Sequence, residues 1–319
     1  MTTTPRLLAA LALVPALLAG CTATAGASGS DSSSGGTRTV ETSLGKVSVP
    51  KEIDSVVVLE GRRDLDIVLS LGLPLTGFPY EEEGSLDLES PVSDQLEAAK
   101  KDGAKELFLD DEINLEAIIG AAPDLIVSRA EDVEPIRAEL EAIAPVIAIG
   151  DQSTSTWQED LELVAAATGT EDRAKELIAG YDERVAALKK DYAEELTSNT
   201  FVPLSYNEES LEVRPNRLLS SNLRDLGATP AKSFQDAIDG KEVSYSIEQT
   251  LEKFEDADAI IALVNDRQVW SQFQDNGLYQ QLPAVKADNV IRSDKQTHEG
   301  AALTADHNLG IIEQLLKTL

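Results

Sequence analysis

Cysteine, histidine, aromatic residues and positive charge are all scarce in this chain. A single cysteine, Cys21, among 319 residues excludes an internal disulfide. Two histidines make a bare zinc or manganese centre a poor fit, because such sites draw several His and carboxylate ligands together. Aromatic residues make up 4%, too few for a surface that stacks nucleic-acid bases. Lys and Arg number 27 against 57 Asp and Glu, a formal charge of −30, so no nucleic-acid partner is expected. The sequence carries no G-x-S-x-G, H-E-x-x-H or P-loop signature, and Asp306-His307 reads as capping at the start of the last helix. The expectation is therefore that the protein is not an enzyme. The one long apolar run, Leu7–Leu18, is too short to cross a membrane as a helix.

That run follows Arg6 and ends Leu18-Ala19-Gly20-Cys21. A basic residue, an apolar core and small residues before a cleavage point make a secretory signal, so residues 1–20 are read as a signal peptide. The end of the run resembles the lipobox of bacterial lipoproteins. It implies that Cys21 becomes the lipidated N-terminus, the only covalent group expected. Residues 21–39, rich in Ser, Gly, Thr and Ala, cannot bury enough apolar surface to fold and are read as a flexible tether. The predicted location is the outer face of the cell membrane.

From Val40 short apolar runs alternate with helical periods. Strands are predicted at Ser55–Leu59, Leu75–Phe78, Glu106–Leu109, Asp124–Ser128, Val146–Ile149, Phe201–Tyr206, Ala259–Val264 and Asn289–Arg292. Helices are predicted at Arg63–Leu71, Asn114–Gly120, Val133–Ala142, Trp157–Thr168, Leu218–Leu226, Ser246–Phe254 and Ala305–Lys317. Such alternation implies βα units and a mainly parallel sheet. Between the two runs of βα units lies Glu171–Leu196, where Ala174, Leu177, Ile178, Tyr181, Val185, Leu188 and Tyr192 recur on one helical face. Acidic residues open it and lysines lie towards its end, the order that the helix dipole favours. Twenty-six helical residues would span ~39 Å. The fold class predicted is α/β, with two lobes, 40–168 and 198–319, joined by one long helix over 169–197 and a ligand cleft between them.

The lobes echo one another. Asn114-Leu115-Glu116 precedes the strand DLIVS, and Ser246-Ile247-Glu248 precedes AIIALV. Locally these are N-caps followed by an acid in the first turn, and Ser246 with Gln249 fits a capping box. The whole order, lipobox, NLEAI, PDLIVS, long helix, SIEQ, AIIALV and Leu282-Pro283-Ala284-Val285-Lys286, resembles the helical-backbone substrate-binding lipoproteins of ABC importers for ferric siderophores, vitamin B12 and haem. The resemblance covers residues 40–319. It implies a monomeric protein that holds its ligand between the lobes and delivers it to a permease dimer with a cytoplasmic ATPase. It also implies that Glu116 and Glu248 meet arginines of that permease.

The branch that binds catecholate siderophores is similar to this chain at Arg129, Arg217 and Arg267. An iron(III)-siderophore of that class is anionic, and guanidinium groups offset its charge with directed hydrogen bonds. Arg62 and Arg214 are further ligand-binding candidates, as are Tyr80, Trp270 and His298, and His298 could fill a vacant iron position. Haem or cobalamin on the same scaffold is the alternative ligand, and an exported hydrolase the alternative of a different class.

Overall fold

A computed structural model describes residues 36–81, 88–110, 112–151, 153–265, 267–293 and 295–319. The predicted signal peptide, Cys21, the predicted tether up to residue 35 and residues 82–87 of the acidic loop lie outside these residues. From Gly35 onward the chain forms one compact unit.

The first element is an antiparallel hairpin that the sequence reading missed, β1 (Thr37–Thr42) and β2 (Gly45–Pro50), paired from Thr37↔Pro50 to Thr42↔Gly45. The first lobe is then built on five parallel strands: β3 (Val56–Val58), β4 (Leu75–Tyr80), β5 (Lys105–Leu109), β6 (Leu125–Arg129) and β7 (Val146–Ile149). Their spatial order is β5-β4-β3-β6-β7. β3 and β7 are buried along their whole length, as their unbroken Val-Val-Val and Val-Ile-Ala-Ile require of a parallel sheet covered on both faces.

The second lobe carries β8 (Thr200–Tyr206), β9 (Ser210–Glu212), β10 (Thr229–Pro230), β11 (Ser244–Ser246), β12 (Ala259–Leu263) and β13 (Val290–Ser293). Its order is β11-β9-β8-β12-β13, with β10 beside β8. β8, β12 and β13 run parallel, while β9 runs antiparallel to both β8 and β11. The observed architecture is therefore two α/β lobes, each with its own sheet.

The joining helix is shorter than predicted. It runs Glu171–Asp191 and breaks at Tyr192 (φ −122°, ψ 33°), and a second helix, Ala193–Ser198, leads into β8. At ~1.5 Å per residue the long segment spans ~32 Å. Ala174, Tyr181 and Leu188, one every seven residues, are its buried positions. Two other predicted helices are also broken. Val133–Ala142 resolves into Ala130–Val133, a 3₁₀ turn at Glu134–Ile136 and Arg137–Glu141, where Pro135 cannot donate to the ladder. Ser246–Phe254 opens as a 3₁₀ turn over Ile247–Gln249, with the Ser246/Gln249 capping box in place.

A single apolar cluster runs through both lobes, from Val49 and Val56 to Ile312 and Leu316. The closing helix, Ala302–Leu316, strengthens that union. It has no capping side chain of its own. Its first backbone N–H groups are received by Asp66, a fully buried carboxylate on the first-lobe helix Arg63–Ser70. Asp66 accepts from the N–H groups of Ala301 (2.7 Å), Leu303 (3.1 Å) and Thr304 (2.9 Å), and from the Thr304 hydroxyl (2.7 Å). One lobe thus caps a helix of the other, and the seam between them is fixed where the segment 298–301 enters it.

Candidate functional site

In parallel sheets, ligands gather beyond the carboxyl ends of the strands, and here several charged groups stand there. β3 runs out through Leu59 and Glu60 to Gly61, whose φ of +82° suits glycine, and where an added Cβ would lie 2.8 Å from the Pro79 ring. The fully buried Asp64 carboxylate ties this turn down, accepting from the N–H groups of Leu59 (3.0 Å), Glu60 (2.8 Å) and Gly61 (2.8 Å). One Glu60 oxygen caps the next helix, receiving the N–H groups of Arg62 (3.3 Å) and Arg63 (3.0 Å). Its other oxygen, Oε1, is buried 3.9 Å from Nε of Arg129.

Arg129 is the last residue of β6, and its guanidinium sits among acids. It pairs with Glu131 (3.0 Å), Asp132 (3.1 Å) and Glu299 of the second lobe (3.1 Å), besides approaching Glu60. Burial works against its positive charge, but the surrounding carboxylates, Glu60 and Glu299 foremost, outweigh burial and raise its pKa. Glu60 is pushed well above the ordinary carboxylate range. Burial is the main cause, and Asp64 and Glu299 add to it while Arg129 opposes it.

Across the seam the second lobe presents a different group. Arg217 precedes the helix Leu218–Asp225. Its Nη1 donates to Ser205 Oγ near the end of β8 (2.9 Å) and lies 3.2 Å from His298 Nε2. A guanidinium can only donate, so Nε2 is the acceptor in that contact. His298 is held in place by its carbonyl, which receives the Leu218 N–H (2.9 Å). Arg217 has no carboxylate within ion-pair distance among the described residues. Burial first, then neighbouring Arg214 and Arg62, lower its pKa to about 10, against the opposing pull of the Glu212 and Glu299 carboxylates.

The two guanidinium groups meet at one cavity of about 320 Å³, lined by Arg129, Glu131, Asp151, Arg214, Arg217 and Glu299, among others. A second cavity of about 370 Å³ shares Ser153 and Asn216 with it, and continues along the seam between the segment Ser155–Glu159 and the helix Leu218–Asp225. Of the sequence-predicted ligand residues, Arg129, Arg214 and Arg217 come together here, with His298 against Arg217. Arg214 is exposed and pairs with Glu212 (2.7 Å). Arg62 stands to one side, 3.5 Å from Glu81, at a smaller recess that also includes Glu299. Arg267 is exposed at the start of the helix Arg267–Gln274 and lines neither cavity. Trp270 is half-buried in an aromatic group with Phe273 and Tyr279, ring centres 6.3 Å away in each case. Tyr80 ends β4 with 42% of its surface exposed. Among the described residues no group of three or more His, Cys, Asp or Glu is arranged to hold a metal ion.

Glu116 and Glu248 are both exposed, each in the first turn after a cap, Asn114 and Ser246 respectively. Sequence reading missed Glu60, Glu131 and Glu299. For Glu60 a signal existed: a charged residue directly after a buried Val-Val-Val-Leu run has to stand at the carboxyl end of a strand.

Two α/β lobes joined by a long helix, with a polar cavity in the seam, define a binding protein that takes its ligand between lobes. Residues 87–297 match the family model described as periplasmic binding protein, and the chain belongs to that family. It is 28% identical over 316 residues to a "probable siderophore-binding lipoprotein", YfiY, of Bacillus subtilis, covering 95% of both chains. It is 29% identical over 298 residues to the iron(3+)-hydroxamate-binding protein FhuD of the same organism, covering 89% of this chain and 88% of that one. Among solved structures, it is similar to the siderophore periplasmic binding protein from the fuscachelin gene cluster of Thermobifida fusca. That likeness has 27% identity and a TM-score of 0.67, and covers 84% of this chain and 98% of the other. The resemblance read from the sequence thus holds at the level of family and fold.

Proposed function

We propose that this protein is the exported, lipid-anchored capture component of an ABC importer, and that it binds an iron(III)-siderophore in the seam between its lobes and hands it to a membrane permease. It binds and releases its ligand unchanged. The observation that carries the ligand assignment is Arg217. A half-buried guanidinium at a cavity, without a carboxylate at ion-pair distance among the described residues, is a charge held for an incoming anion. The siderophore names of the relatives support the same class of ligand.

Titrating intrinsic tryptophan fluorescence with a panel of ferric siderophores, haem and cobalamin tests this directly. Saturable quenching by one or more ferric siderophores is expected. Tight binding of haem or cobalamin alone would overturn the assignment. Glu116 and Glu248 are assigned to permease docking, where exposed acids at matching places in the two lobes set orientation through charge-assisted pairs. Glu116→Ala with Glu248→Ala should leave siderophore affinity in solution unchanged while cellular uptake falls, and unimpaired uptake would refute the docking role. Cys21 is assigned as the lipidated residue, so Cys21→Ser should move the protein from the membrane to the soluble fraction. Among the described residues no helix is long and apolar enough to cross a membrane.

A further inference from the structure

The cavity at Arg217 is small for its task. At about 320 Å³ it stands at the lower limit of ligand pockets, which run from about 300 to 1,000 Å³. It meets the neighbouring cavity of about 370 Å³ at Ser153 and Asn216, which line both. The first-lobe wall of that neighbour is Arg63 with the segment 153–159, and the second-lobe wall is Asn216 with one face of the helix Leu218–Asp225. A third cavity, also about 370 Å³, adjoins Arg129, but the first lobe alone walls it, and it carries Glu41, Glu131, Glu134 and Asp151, whose oxygens would repel a carbonyl. Room for a ligand larger than its chelate therefore lies along the seam.

The charges of the seam cavity balance, Arg63 and Arg224 against Glu159 and Asp225. They are also engaged: Glu159 closes the capping box with Thr156, Asp225 accepts from the Tyr181 hydroxyl (2.7 Å), and Arg224 donates to the Ser221 hydroxyl (3.0 Å). What is left over is neutral. The side chains of Ser153, Gln158 and Asn216 have no hydrogen-bond partner among the described residues. Exposed amides and hydroxyls ordinarily hold water, but Arg63 does not fit that account, because it is only 3% exposed. Its hydrogen bonds, to Asp160 (2.7 Å) and to the carbonyl (3.3 Å) and hydroxyl (3.4 Å) of Ser155, all leave from Nη1. The Nε and Nη2 donors of this buried fork have no partner among the described residues. Donors of a guanidinium beside amides that both donate and accept match a peptide bond, which offers one C=O and one N–H. An alkyl chain would leave all of these groups unmet, and an unmet buried donor is costly.

We infer that the seam cavity beside Arg63 is a second subsite, which takes a neutral, amide-bearing arm of the siderophore while the iron chelate is held at Arg217. This rests on the siderophore reading of the cleft and narrows its substrate class to chelators with a short peptide-like extension. The test uses three ferric complexes on one tris-catecholate head: the bare head, the head with a diglycine amide tail, and the head with an alkyl tail of equal length. A second set of three on a tris-hydroxamate head covers the other chelate class. Dissociation constants are measured by isothermal titration calorimetry on the full folded protein. In a set that binds, the diglycine member is expected to bind about tenfold tighter than the other two, the worth of one or two neutral hydrogen bonds. Ser221→Phe fills the cavity from the second lobe and should abolish that preference. Gln158→Ala removes one amide without adding volume and should reduce it, which keeps the test open if the phenylalanine variant does not fold. Equal affinities within a binding set, or an alkyl tail that binds as tightly as the amide tail, overturn the inference and leave the siderophore reading intact. A preference that survives both variants overturns the placing of the arm in this cavity. If both sets and a wider panel of ferric siderophores fail to bind, the siderophore reading itself falls, and the inference falls with it.

Discussion

Arg129 and Arg217 reach one cavity from opposite lobes, and their surroundings differ in kind. Arg129 is enclosed by protein carboxylates at 3.0 to 3.9 Å, which hold its charge and raise its pKa. Arg217 has a serine hydroxyl and an imidazole for company, and burial lowers its pKa to about 10. The first guanidinium is committed to the architecture of the seam, where through Glu299 it also ties one lobe to the other. The second is held by the Ser205 hydroxyl and the His298 imidazole, with no carboxylate at ion-pair distance among the described residues. An arginine at a strand end and one at a helix start are therefore not two copies of one binding group. The charge available to a ligand depends on what the protein has already paired.

The largest effect expected on binding falls at Arg217. A hydrogen bond to a charged group contributes about 1.5–3 kcal/mol, so Arg217→Ala should weaken binding of a ferric siderophore roughly tenfold to a hundredfold. Arg217→Lys should restore part of that, since the forked donor is lost. Fluorescence titration checks both, and a larger binding loss in Arg129→Ala than in Arg217→Ala would invert the comparison. Next comes the lock that holds the two lobes in register. Asp66→Ala leaves the buried N–H groups of Ala301 and Thr304 unmet, at a cost of about 1–3 kcal/mol each before relaxation, and also frees the half-buried N–H of Leu303. Urea denaturation should show the loss, and a stability equal to wild type would mean the seam does not depend on this cap.

Glu60→Gln sharpens the contrast around Arg129 through pH. A carboxyl whose folded pKa is raised binds more protons folded than unfolded, so its contribution to stability falls as pH rises from its ordinary value near 4.5 towards the folded value. The amide keeps an acceptor for the Arg62 and Arg63 N–H groups and cannot ionise. The variant should therefore gain on wild type as pH rises through that window. Asp66, whose pKa is also raised by burial, retains the same trend in both proteins. Thermal melting at mildly acid and neutral pH would show it, and a constant gap between variant and wild type would contradict it. The smallest effect is expected far from either arginine: Glu116→Ala should cost about 0.3–1 kcal/mol through the helix dipole alone, read by urea denaturation, and a loss of several times that size would contradict it.

The sheets were legible wherever burial on both faces forces unbroken apolar runs. Val146–Ile149 is observed at its predicted bounds, and the Ala-Ile-Ile-Ala-Leu strand, Ala259–Leu263, ends one residue short of its own. The helix Trp157–Thr168 was legible from its period, and its capping box at Thr156 and Glu159 fixes the start. The hairpin β1–β2 was not, because Thr-Arg-Thr-Val-Glu-Thr alternates weakly and follows a Ser- and Thr-rich tether without a break. The break at Tyr192 was invisible, since no Gly or Pro marks it and the apolar stripe continues through it. At the site, sequence spacing placed arginines near strand ends but said nothing about which would be paired. That depends on Glu299, which lies 170 residues from Arg129 and meets it only through the fold.

The most direct test of the central claim is the position of iron. Crystals of the protein with a bound ferric siderophore, measured at the iron absorption edge, should give an anomalous peak within the cavity between Arg129 and Arg217, with chelate oxygens turned to Arg217. A peak in the neighbouring recess between Ser155–Glu159 and the helix Leu218–Asp225, or on the outer surface beside Arg267, would contradict the account.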